Sequence, residues 1–116
     1  MLLPCSLLTK TGSFTVVPGL FVVESAKGPR YDRSRKRREQ PGWDAHAAFI
    51  DRLVEEGVIV MGGPVGDVDD GENTLLVVRA EDETAVRAAF ARDPWYETTL
   101  HLARVEPWTL WLGAPP

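Results

Sequence analysis

The chain has 116 residues, 44% apolar and 26% charged, the proportions of one ordinary folded domain. Thirteen Lys and Arg stand against seventeen Asp and Glu, a net charge of −4. That balance argues against a general nucleic-acid binder, which would be basic. A single cysteine, Cys5, excludes an internal disulfide, and His46 and His101 are not in a zinc-ligand spacing. No apolar run approaches the roughly 20 residues of a spanning helix. Residues 1–8 are apolar but have no basic start and stop at Pro4, so no signal peptide is expected and a cytoplasmic protein is.

Residues 1–19 read as a tail, with a possible short strand at 14–17 broken by Pro18-Gly19. Residues 20–24 (LFVVE) form the first strand. A loop with a dense basic run follows from Ser25 to Gln40, closed by Pro41-Gly42. Residues 43–56 form the clearest helix. Trp43, Ala47, Ile50 and Val54 make one apolar stripe, while Asp44, Asp51, Arg52 and Glu55 take the opposite face. Gly57 stops it.

Residues 58–61 (VIVM) form a second strand that Gly62-Gly63-Pro64 ends, and residues 74–80 (TLLVVRA) a third. The Gly/Asp-rich connection between them predicts an antiparallel hairpin. Asp82 is a good N-cap for a second helix, whose buried stripe is Ala85, Val86, Ala89 and Phe90. Pro94 ends that helix near Arg92. Residues 99–105 form a fourth strand, residues 108–112 (WTLWL) a short fifth one, and residues 113–116 a frayed tail. Trp108 and Trp111 would lie on opposite faces of that fifth strand, at least one of them an interface anchor.

The order β-α-β-β-α-β is the ferredoxin-like split βαβ pattern, an α+β fold with an antiparallel sheet and both helices on one face. The Val- and Leu-rich strands leave the other face short of polar residues. A second subunit is the simplest cover, so a homodimer is expected.

His46 lies within the helix stripe of Trp43, Ile50 and Leu53 and so faces the sheet. It reads either as a core histidine satisfied by a backbone carbonyl or as a general acid/base at a cavity, its pKa lying near operating pH. Asp93, before Pro94, reads as a turn-forming residue or as a carboxylate that orients an imidazole. The run from Arg30 to Arg38 carries six positive charges and one negative. It reads first as a solvated loop, then as a lid that attracts an anionic small molecule, and last as a nucleic-acid patch. Arg30, Arg33 and Arg38 are the candidates for holding substrate charge.

Gly62-Gly63-Pro64-Val65-Gly66 lacks the helix and the Lys-Ser/Thr of a phosphate loop. The acidic residues 67–72 do not fit a calcium loop, and no nucleophile elbow exists. No metal site and no cofactor is expected.

Several pieces together resemble the YCII-related domain family. They are Arg38-Glu39-Gln40-Pro41-Gly42-Trp43 with His46, Phe49-Ile50 and Leu53; residues 57–64 (GVIVMGGP) with Asp67; Asp93-Pro94-Trp95; and Val105-Glu106-Pro107-Trp108. The resemblance covers residues 20–112. It implies a ferredoxin-like fold in a dimeric α+β barrel, similar in architecture to muconolactone isomerase, with one branch removing chloride from chlorinated aromatic breakdown products. It further implies a His/Asp site, here His46 and Asp93, with Gly63 and Pro64 lining the same cleft. The activity expected is of lyase or isomerase type on a small, cyclic, anionic substrate. The alternatives are a small-ligand-binding module and an adaptor of the same fold.

Overall fold

In the computed structural model, residues 19–66 and 73–113 are described. The strand expected at 14–17, Cys5 and the acidic residues 67–72 lie outside them.

Four strands form one antiparallel sheet. β1 (Gly19–Lys27) lies inside it, between β3 (Asn73–Ala80) and β4 (Leu100–Pro107), and β2 (Ile59–Val65) pairs outside β3. Alternate residues of β1, Phe21, Val23 and Ser25, are buried on one face. The register sets Val78 opposite Phe21 and Val105 opposite Val23, so the same face continues across the sheet.

Two helices cover that face. In α1 (Trp43–Glu55), His46 and Leu53 are buried; in α2 (Glu83–Phe90), Val86 and Phe90. Leu53, Val86 and Phe90 join Phe21, Val23, Ile59, Val78, Leu102 and Val105 in one core. Asp82 caps α2 as its sequence predicts, its side chain accepting from the Ala85 N–H at 2.8 Å. The element order, the strand order β2-β3-β1-β4 and the uniform antiparallel pairing make this a ferredoxin-like α+β fold.

The departures from the sequence reading have local causes. β1 continues through Ser25, Ala26 and Lys27, because Ser25 and Ala26 pair with β3 and β4 at once and Lys27 pairs with β4. Gly62, Gly63 and Pro64 do not end β2 but lie within it. β2 is an edge strand, where a proline's missing N–H breaks no ladder bond. Gly62 allows close approach: a Cβ there would sit 2.7 Å from the Leu75 carbonyl oxygen.

α2 ends at Phe90, and the chain then turns through Asp93, whose N–H donates to the Phe90 carbonyl at 2.9 Å. Val54 is half exposed, since the buried stripe of α1 runs through His46, Phe49, Ile50 and Leu53. Residues 108–112 form no fifth strand. Trp108 adds one backbone bond to Leu20, after which pairing stops, and Trp111 and Leu112 are exposed.

Among the described residues no helix packs on the other face of the sheet. By register that face carries Val22, Leu75, Val77, Met61 and Val65, with Met61 and Val65 each 53% exposed. On its β4 side, against the expectation of few polar residues, it carries Glu24, Arg104 and Glu106, with Arg104 3.6 Å from Glu24 and 3.8 Å from Glu106. Among the described residues no helix is long and apolar enough to cross a membrane.

Candidate functional site

The site forms where α1, the turn after α2 and the basic loop meet over the end of the sheet. Gly42 starts α1 in the left-handed conformation, at φ 83°. One turn on, His46 points inward, only 7% exposed. Its Nδ1 lies 2.8 Å from Asp93 Oδ2 and 3.0 Å from Oδ1. The Trp95 N–H donates to Asp93 Oδ1 at 2.9 Å. The Asp-Pro turn therefore serves two ends, since the same carboxylate closes the turn and holds the imidazole.

Trp95 supports the pair from behind. Its ring stacks on the imidazole, with centroids 4.1 Å apart and planes at 11°. Its indole N–H donates to the Pro41 carbonyl at 2.8 Å, tying the turn to the start of α1. Trp43 tilts against both rings at 5.9 Å, and Tyr31, Trp95 and Leu100 form a second buried cluster beside them. With Nδ1 held by Asp93, Nε2 is the imidazole nitrogen that no group among the described residues engages. It is the atom available for proton transfer.

Two connected spaces adjoin the pair. An inner cavity of about 100 Å³ is lined by His46, Asp93, Ser25 and Thr74 and by the apolar side chains of Ile50, Leu76, Phe90, Leu100 and Leu102, with Arg37, Tyr96 and Glu97 completing it. An open groove of about 810 Å³ lies alongside. His46, Ile50, Thr74, Leu76 and Arg37 line both. Gly63, Pro64 and Arg38 line the groove, so Gly63 and Pro64 share a cleft with His46. Arg30 and Arg33 line neither space.

The basic loop is folded. The Gln40 side chain, 2% exposed, is its staple. Its amide donates to the carbonyls of Asp32 at 2.7 Å and Arg35 at 3.0 Å, and its oxygen accepts from the Asp32 N–H at 2.9 Å. The Ser34 hydroxyl and N–H both bond to Asp32 and hold its carboxyl below the usual range. A short 3-10 turn, Arg37–Glu39, brings Arg37 to the cavity and sets the Arg38 guanidinium 5.8 Å from the Trp43 ring centroid.

Arg37, Gln40 and Trp95 shape this region without a role that their place in the sequence assigns, and Ser25, Thr74, Tyr96 and Glu97 join the cavity lining in the same way. Arg37 is one of six cations in the run and carries no distinguishing signal. Gln40 falls within the Arg38–Trp43 piece of the family resemblance, but its role as a buried amide shows only in its tertiary contacts. Trp95 follows the Asp-Pro turn, and its signals in the sequence are its place two residues after a candidate carboxylate and in the Asp93-Pro94-Trp95 piece of the family resemblance. Among the described residues no cluster of His, Cys, Asp or Glu fits a metal ion.

No curated protein and no solved structure gives a significant match to the chain. The profile of the YCII-related domain matches residues 20–109. That span takes in every element of the sheet, both helices, the basic loop and the His46–Asp93 pair, and the chain belongs to the YCII-related domain family.

Proposed function

We propose that the protein is a small enzyme of lyase or isomerase type in which His46 moves a proton on a small, cyclic, anionic substrate. The observation that carries this reading is the buried Asp93–His46 contact at 2.8 Å beside a cavity. A carboxylate on Nδ1 fixes the tautomer and makes Nε2 the more basic nitrogen. An imidazole so placed can take a proton from carbon and return it to a neighbouring atom, or let a leaving group depart. Arg38 and Arg37 flank the groove and supply the positive charge that an anionic substrate requires.

Acid/base help of this kind is worth roughly 10²–10⁴ in rate. The test is turnover of lactones and chlorinated hydroquinones by the protein and by its His46→Ala variant. Loss of turnover on that scale, with the fold intact by circular dichroism, supports the reading. Turnover that survives unchanged removes His46 from the chemistry and favours a ligand-binding module.

We also propose that a second copy of the chain covers the open face of the sheet and completes a dimeric barrel. Val22, Leu75, Val77, Met61 and Val65 form an apolar patch there beside the Glu24–Arg104–Glu106 cluster, and burying the patch releases water. Light scattering that gives a dimer at micromolar concentration is the expected result; a monomer contradicts it.

A further inference from the structure

We propose that Arg37 anchors the carboxylate of a small organic monoanion whose apolar body, about one ring in size, enters the inner cavity. This rests on the same site as the proton-transfer reading and adds the ligand's chemical class.

Arg37 alone among the cations of the basic run lines both the inner cavity and the open groove, so it stands where the two spaces join. Gln40 fixes the loop that carries it, and a guanidinium held in place binds a carboxylate through two parallel N–H donors. Among the described residues no carboxylate pairs with Arg37. The two carboxylates that line the cavity with it are engaged elsewhere. Asp93 holds His46 and the Trp95 N–H. Glu97 holds His101 at 2.7 Å and the Leu102 N–H at 2.9 Å.

Those neighbours also set the ligand's charge. Asp93 and Glu97 would repel a phosphate dianion, while one carboxylate against one guanidinium is balanced. The cavity sets its body. Ile50, Leu76, Phe90, Leu100 and Leu102 make an apolar wall, and the volume of about 100 Å³ is on the scale of the roughly 150 Å³ apolar cavities that take benzene. A ring seated there, with its carboxylate on Arg37, lies against His46, which lines the same space.

The probe is benzoate, with benzamide as its uncharged counterpart, titrated to millimolar concentration. The readout is the shift of the Trp43 and Trp95 indole N–H signals by NMR. The expected result is benzoate binding about tenfold or more tighter than benzamide, as a charge-assisted hydrogen bond would give. Arg37→Gln should bring benzoate down to the benzamide level and leave benzamide unchanged. Arg37→Lys should keep part of the preference, and Arg30→Gln all of it.

Equal binding of the two probes, no binding of either, or a preference that survives Arg37→Gln overturns the proposal. If Arg37→Gln does not fold, the wild-type ratio and Arg37→Lys decide. Because the readout is binding, an Arg37-dependent preference in a protein that turns nothing over would sink the proton-transfer reading alone. Turnover that depends on His46, without the preference, would sink this one alone.

Discussion

The chain holds two carboxylate–histidine pairs with nearly the same spacing and opposite settings. His46 Nδ1 lies 2.8 Å from Asp93, and His101 Nδ1 lies 2.7 Å from Glu97. The first joins residues 47 apart in sequence, with both side chains under a tenth exposed. The second joins residues four apart, with side chains 49% and 39% exposed. Distance therefore does not separate a candidate catalytic pair from a surface one. Both carboxylates also accept a backbone N–H, so that does not separate them either. What does is burial, the stacked Trp95 ring, and the cavity that His46 lines and His101 does not. In water an ion pair is worth little, because solvent competes for both partners. Out of water, each partner left alone is costly.

The largest effect should come from removing the support of the buried pair. Trp95 is 2% exposed, stacks on His46 and bonds to Pro41. Trp95→Ala should cost about 4 kcal/mol in a urea denaturation experiment, from lost burial and the cavity left behind. A cost near zero would mean that the aromatic cluster does not hold the turn.

Asp93→Ala strips His46 and the Trp95 N–H of their acceptor together. It should cost about 3 kcal/mol, measured the same way. The comparison breaks if Glu97→Ala costs as much.

Gly42→Ala tests the other end of the Trp95 strut. Gly42 has φ 83°, and a Cβ there would lie 3.0 Å from the Trp95 indole nitrogen. The strained backbone and the contact together should cost about 1–2 kcal/mol. A stability equal to wild type would show that the start of α1 can shift without disturbing the ring.

The scaffold was legible in the sequence to the extent that local rules governed it. The α1 stripe containing His46, the Asp82 cap, the α2 stripe and the β2–β3 hairpin all follow from periodicity and capping. Where two strands compete for one segment, local rules fail. Residues 25–27 look like the start of a loop, yet β3 and β4 pair with Ser25 and Ala26 from both sides and β4 holds Lys27. Gly62-Gly63-Pro64 reads as a break, but an edge strand tolerates it. The fifth strand fails for the reverse reason: residues 108–112 have strand-forming side chains but gain only one backbone bond, Trp108 to Leu20. His46 and Asp93 could each be nominated from their element, while their meeting depended on the turn after α2 folding back over α1. The basic run was least legible. Six cations look alike until Gln40 selects a loop conformation and Arg37 becomes the one at the cavity mouth.

The smallest effect belongs to the exposed pair, and its pH dependence gives it a signature. Partial burial pushes the Glu97 carboxyl up. The His101 hydrogen bond, the Leu102 N–H and the charges of His101 and Arg87 outweigh this and leave it below the ordinary glutamate range. A carboxyl depressed in the folded state binds its proton more readily when unfolded, so it adds stability above the unfolded pKa. That stability is lost as pH falls through the lower folded value. Glu97→Gln should therefore cost less than about 1 kcal/mol near neutral pH, since solvent screens a pair this exposed. The gap from wild type should close as pH drops below the ordinary glutamate value of about 4.3, read as denaturation midpoints across an acid series. A gap that stays constant to low pH would show that Glu97 acts through its hydrogen bonds to His101 and the Leu102 N–H, and not through charge. The surface pair would then differ from the buried one in kind as well as in strength.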